Sequence, residues 1–251
     1  MTGAQDWISE LALKRNAQRS NVFIVETVDP QRIRQFREIL RNGGLKGLTK
    51  RDYNHINYDV QRGAVTDSSG VPVNLDPMQP LVAQLDSRLK QSPTVLTVSY
   101  VFTEAHANAV SDMLAAWSHD EDLYAQKSTV VVFTSSAMLF SESLRRLCHT
   151  ITITPSTAQE RRALLERLAG NLAEAFKQKY SKPITVQVDE DLVQASSGLT
   201  LHDVETAALE SFYTTRKFDV QVFTEYKVQL LRNYGIEYVF PSRGFESVGG
   251  Y

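Results

Sequence analysis

Apolar residues along this chain fall into two kinds of run. Short blocks rich in β-branched residues, NVFIVET (21–27), TVLTVSYVF (94–102) and TVVVFTSS (129–136), have the unbroken character of strands covered on both faces. INYDV (56–60) and HTITITPS (149–156) are weaker signals of the same kind. Between these blocks the apolar spacing becomes helical. DPQRIRQFREILRNGG opens on Asp29 as a cap with Pro30 in the first turn. It carries Ile33, Phe36 and Leu40 on one face and stops at Gly43 and Gly44. Leu81, Leu85 and Leu89 predict a helix over 78–90, whereas 61–77 reads as a loop. Val110, Met113, Leu114 and Trp117 predict a helix between the strands at 94–102 and 129–136.

Five strands alternating with helices predict an α/β fold, with a mainly parallel sheet covered by helices on both faces. After Pro155 the pattern changes. Thr157 and Glu160 form a candidate capping box for a helix with Leu164, Leu165, Leu168, Leu172 and Phe176 along one side. Two more helical stretches follow, 199–215 and 220–235, and PITVQV before them reads as an extended connection. The expected organisation is an N-terminal helix or extension over 1–20, an α/β domain over 21–155, a helical lid over 156–235 and a linker over 236–251.

Composition narrows the function classes. The 251 residues are 42% hydrophobic and 22% charged, with a formal net charge of -2, so no overall attraction to nucleic acid or acidic membranes is expected. A single cysteine, Cys148, excludes an internal disulfide and Cys-cluster zinc sites. The N-terminus lacks the basic start and apolar run of a secretion signal, and no stretch reaches the roughly 18–20 apolar residues of a membrane span. The expectation is a cytoplasmic protein.

Three stretches carry a family resemblance. SSGLTLHDVETAALES (196–211) resembles the lid signature of an AAA-type ATPase family of cyanobacteria and chloroplast genomes. LRRLCHTITITPSTAQERRALLERL (144–168) is similar to the passage from the sensor region through the last strand into the first lid helix. FESVGGY (245–251) is similar to the Val-Gly-Gly opening of a complete AAA domain. The resemblance implies a P-loop-NTPase-like (AAA+) sheet of five strands followed by a helical lid. It further implies that this chain is a degenerate AAA+ module ahead of a second AAA domain of the same protein. ATP and magnesium are then expected for the parent protein, together with a homo-oligomeric assembly.

The residues argue against hydrolysis by this chain itself. A phosphate-binding loop needs glycines and a Gly-Lys-Ser/Thr after the first strand, so that backbone N–H groups and the lysine cradle phosphates. Here VDPQRIRQF follows instead, with Asp29 where phosphates would arrive, and no Gly-Lys-Ser/Thr occurs anywhere in the chain. An intact acidic motif ends its strand in Asp-Glu, for magnesium and the attacking water. SYVFTE has Thr103 at the first position and keeps only Glu104, which reads either as a remnant of the base or as a solvated carboxylate at a strand end. Thr134 and Ser135, with Ser136, end the next strand where the resemblance implies a polar sensor; the alternative is a turn satisfying its own backbone. Arg145 and Arg146 stand about where such families place an inter-subunit finger, or else form a solvated helix face.

Other constellations are weaker. GGLKGLTKR (43–51) has the wrong residue order for a phosphate loop. With Arg32, Arg34, Arg37 and Arg41 it concentrates basic charge over 30–51, which suits nucleic acid phosphates, an acidic protein partner or simply the polar side of a helix. His55, His106, His119, His149 and His202 show no metal-ligand spacing. AWSHDEDLY (116–124) reads as a solvated loop or a weak cation site, and Cys148 beside His149 does not by itself make a catalytic pair.

Overall fold

The structure, a computed structural model, describes residues 3–17, 20–43 and 52–233. Two sequence readings lie outside those residues: the basic loop of 44–51, and the stretch 236–251 with its Val-Gly-Gly. The chain divides into two compact units between Pro155 and Ser156.

In the first unit the β-branched blocks become strands because only a doubly covered sheet can bury them on both sides. These are β1 (Val22–Glu26), β2 (Asn54–Asp59), β4 (Thr94–Val101), β5 (Thr129–Thr134) and β6 (His149–Thr152), and all pair in parallel. Every residue of β5 is buried. A sixth strand, β3 (Ala64–Asp67), pairs antiparallel with β2, giving the order β3-β2-β4-β5-β1-β6. The sheet therefore has six strands rather than five, and the expected loop of 61–77 contains one of them. Its signal is invisible in the sequence because β3 is four residues long and buries only Val65. The reversal into it turns on Gly63, whose φ of +63° is a conformation that glycine adopts without strain.

Helices cover both faces. α1 (Gly3–Asn16) and α2 (Pro30–Arg41) pack Trp7, Leu11, Ile33 and Phe36 against Phe23, Val25 and Phe133. The Trp7 and Phe36 ring centroids are 5.4 Å apart, and Phe36 meets Phe133 edge-on at 5.6 Å. On the opposite face lie α3 (Leu81–Gln91), α4 (Glu104–Ser118), α5 (Glu121–Gln126) and α6 (Glu142–Leu147). They place Leu85, Leu114, Trp117 and Leu144 against Ile24, Val98 and Val132. Alternate residues of β1 thus enter different cores, as a pleated strand requires. The buried Arg15 fastens the end of α1 by donating to Asn21 Oδ1 at 3.1 Å and to the Ser128 carbonyl at 2.9 Å.

The second unit is helical: α7 (Ala158–Tyr180), α8 (Glu190–Ala195), α9 (Leu201–Thr215) and α10 (Val220–Asn233). The Thr157–Glu160 capping box opens α7, and a second, Thr200–Asp203, opens α9. Leu164, Leu165 and Leu168 pack with Leu192, Leu201, Val204, Phe212 and Phe223 into a core of their own. PITVQV belongs to no helix or strand and half-buries Ile184, Val186 and Val188 on that core. α8 has no counterpart in the sequence pattern, its six residues being too few to show a period.

Phe36→Ala should lower the stability of the α/β unit by about 3–5 kcal/mol through the cavity it leaves. Thr200→Ala, which removes one cap, should cost about 1 kcal/mol in the helical unit. Urea unfolding of the two variants against the parent chain measures both.

Candidate functional site

Parallel α/β sheets bind ligands at the carboxyl ends of their strands, where neighbouring strands send their connections to opposite faces. Here that point lies between β1 and β5. β1 leads into α2 on one face, and β5 leads through a 3₁₀ turn (Ala137–Leu139) into α6 on the other.

The link from β1 to α2 is only Thr27, Val28 and Asp29. Thr27 N–H donates to the Thr134 carbonyl at 2.8 Å, and Asp29 N–H donates to Thr27 Oγ1 at 3.1 Å. None of these residues is a glycine or has a positive φ, so the backbone forms no concave nest of N–H groups. The helix N-terminus is closed as well. Pro30 has no N–H, Gln31 N–H donates to Asp29 Oδ1 at 2.9 Å, and Arg32 N–H donates to the Asp29 carbonyl at 3.0 Å.

The last residue of β1, Glu26, is the group that the sequence reading missed. Its Oε1 accepts from Ala137 N–H at 2.7 Å and its Oε2 accepts from Thr152 Oγ1 at 2.8 Å. The Ser136 hydroxyl is near enough to favour its charged form, and the Arg145 guanidinium lies within electrostatic reach. Burial alone would raise the Glu26 pKa. The bonds from Ala137 and Thr152, with the polar influence of Ser136 and the charge of Arg145, outweigh it and hold the carboxyl below its ordinary 4.5. A carboxylate directly after four apolar strand residues was the available signal.

Thr134 and Ser135 sit at the same crevice. Thr134 is fully buried, its hydroxyl 2.8 Å from the Val101 carbonyl and 3.0 Å from the Ser136 carbonyl, so it braces the turn; Ser135 is half-buried. Arg145 is half-buried, and its Nη1 lies 3.0 Å from Met138 Sδ. Its Nε is buried without a partner among the described residues. Arg146 is exposed and pairs with Glu142 one helical turn away, at 2.5 Å. Glu104 is exposed in the first turn of α4, behind the cap Thr103, and joins none of the Glu26 bonds.

The basic helix is largely engaged within the molecule. Arg32 is buried, Arg37 Nη2 donates to Ser99 Oγ at 2.9 Å, and Arg41 donates twice to the Ser68 carbonyl, at 3.0 and 2.8 Å. Burial lowers the pKa of Arg37, against the opposing pull of Tyr100 and Asp59. Tyr100 has a φ of +68°, at an irregularity in the β4–β5 pairing between Val98 and Val101. Of the four arginines, Arg34 and Arg41 are exposed.

Among the described residues no cluster of three His, Cys, Asp or Glu is placed to hold a metal ion. Asp120 of the acidic loop caps α5 and accepts from Lys90 at 2.8 Å. His149 Nε2 lies 3.0 Å from Glu10 Oε1, so its ring faces α1. Two clefts open at the amino ends of the strands. One, about 590 Å³, is lined by Ser20, His119, Asp120 and Tyr124; the other, about 500 Å³, by Tyr53, His55, Asp67 and Arg88.

No protein-family model and no curated protein sequence matches the chain. Solved structures do match it. PCH-2 of C. elegans superposes with a TM-score of 0.53 at 12% identity, over 91% of this chain and 68% of that one. An arginine-to-alanine variant of Thermotoga maritima RuvB superposes with a TM-score of 0.52 at 14% identity, over 92% of this chain and 70% of that one. At such identities the likeness establishes the fold alone, an AAA+-like architecture in which a mainly parallel α/β sheet is followed by a helical unit.

Burial pushes the Cys148 thiol from 9.0 up to about 12, which at pH 8 leaves about 1,000-fold less thiolate than an ordinary cysteine holds. Labelling of the native protein by a thiol reagent should be slower by about that factor than labelling in denaturant. Stopped-flow absorbance measures the ratio.

Proposed function

We propose that this chain is a non-hydrolysing AAA+-like module that serves subunit assembly or partner binding in a larger AAA-type ATPase. In this reading ATP and magnesium are handled by a following AAA domain, and the full-length protein works as a homo-oligomer in the cytoplasm. Among the described residues no helix is long and apolar enough to cross a membrane.

The observation that supports it most is the closed turn between β1 and α2. The N–H groups of Thr27, Asp29, Gln31 and Arg32 are already engaged and Pro30 has none, and two carboxylates, Glu26 and Asp29, flank the place. Each unit charge on a phosphate 4 Å from one of them is opposed by about 1 kcal/mol in water and about 4 kcal/mol in the lower effective dielectric of a protein surface. No lysine compensates, because Gly-Lys-Ser/Thr is missing. On this reading Glu104 is a remnant of the acidic motif. Thr134 and Ser135 are remnants of the sensor that now brace a turn. Arg145 and Arg146 are available for contacts between subunits.

Titrating the purified chain with a fluorescent ATP analogue and magnesium should give no saturation up to about 1 mM. Saturable micromolar binding would replace this proposal with an ATPase domain of unconventional site. A nucleic-acid role for the basic helix is the weaker reading, since Arg32 is buried and Arg37 and Arg41 already bond within the fold. A gel shift with single- and double-stranded probes should show no complex that Arg34→Ala, Arg37→Ala and Arg41→Ala together abolish.

A further inference from the structure

The carboxyl-end crevice shows more than an obstructed nucleotide site. A backbone N–H from the 3₁₀ turn and a hydroxyl from β6 bond one carboxylate, and the guanidinium of Arg145 on α6 stands within electrostatic reach of it. We propose that this crevice is an oxyanion-binding site whose occupant is built into the chain. The Glu26 carboxylate stands where a free carboxylate or phosphate would otherwise be held.

The donor set is what an oxyanion asks for. Hydrogen bonds to an ionised acceptor are about twice as strong as neutral ones, and here both carboxylate oxygens are held at 2.7–2.8 Å. Arg145 has capacity left over, since Nη1 faces a thioether, a weak acceptor, and Nε has no partner among the described residues. A cation placed beside an anion with donors to spare fits a site able to accept a larger or more highly charged oxyanion. With Glu26 in place, the ligand is permanent. It ties the end of β1 to β6 and to the segment that carries Arg145, so this end of the sheet is held as though always loaded.

Removing the tethered carboxylate should therefore create a requirement for a free one. In Glu26→Ala the Ala137 N–H and the Thr152 hydroxyl lose their acceptor, and thermal unfolding of the full chain should begin about 4–8 °C lower. Sodium formate, acetate or phosphate, at ionic strength matched with chloride, should raise that midpoint saturably while the parent chain responds to each no more than to chloride. Rescue by formate and acetate alone would assign a carboxylate-sized site, and rescue by phosphate as well would assign room for a tetrahedral anion. Rescue should vanish in the double variant Glu26→Ala, Arg145→Ala. If Glu26→Ala gains no more from these anions than the parent does, the proposal is wrong.

A second variant decides the matter should Glu26→Ala fail to fold. The folded Glu26 pKa lies below its ordinary 4.5, so its stabilisation is complete above 4.5 and lost as pH falls through the folded value. Arg145 is the charged group facing it; Thr152 of β6 and Ser136–Ala137 of the turn do not titrate in that range. The parent chain should lose stability relative to Glu26→Gln below pH 4.5, and a constant difference down to pH 3 would overturn the idea. Nucleotide binding by the parent chain bears on the proposed function and leaves this test untouched.

Discussion

β1 is hydrogen-bonded on both sides, to β5 and to β6, and its first four residues are wholly buried. A strand held this way cannot shift its register, so whatever follows Val25 is fixed in space at the carboxyl edge of the sheet. The sheet order alone would permit a phosphate loop there. The residues that follow instead supply a carboxylate, a three-residue turn and a helix that caps itself. One local choice at the end of one strand therefore sets the character of the whole crevice.

Charge in this unit is used mainly to hold the fold together. Arg15 closes the end of α1, Arg37 bonds to Ser99, and Lys90 bridges Asp86 and Asp120. Such groups are poorly suited to a second task, because releasing a buried or half-buried cation leaves its partners unpaired. A row of arginines along a helix looks like a nucleic-acid surface when only spacing is considered. The partners of Arg37 and Arg41 come from residues far along the chain, and those partners change the meaning of the row.

The helical unit rests on a separate core, and its boundaries are chemical. Thr157 with Glu160, and Thr200 with Asp203, each satisfy the free N–H groups at a helix start in both directions. Arg161 is buried beside them, donating to Ser196 Oγ at 3.1 Å and to the Ser156 carbonyl at 2.5 Å. Burial lowers its pKa, and the same cause, with repulsion from Arg161, lowers that of Lys227. Both cations are matched to carbonyls and a hydroxyl at the ends of short segments, a stable but unreactive arrangement.

By itself the sequence determined the parallel strands, the covering helices and the lack of a Gly-Lys-Ser/Thr motif. These follow from runs of β-branched residues, from a period of three to four and from residues missing at fixed positions, all of which are local properties. It did not reveal β3, because four residues with one buried side chain carry no period. Nor did it reveal Glu26, which reads as an ordinary strand end until Ala137 and Thr152, more than one hundred residues away, are folded against it. Only the tertiary structure could decide that, since a carboxylate becomes a ligand through the donors around it, and those donors are neighbours in space.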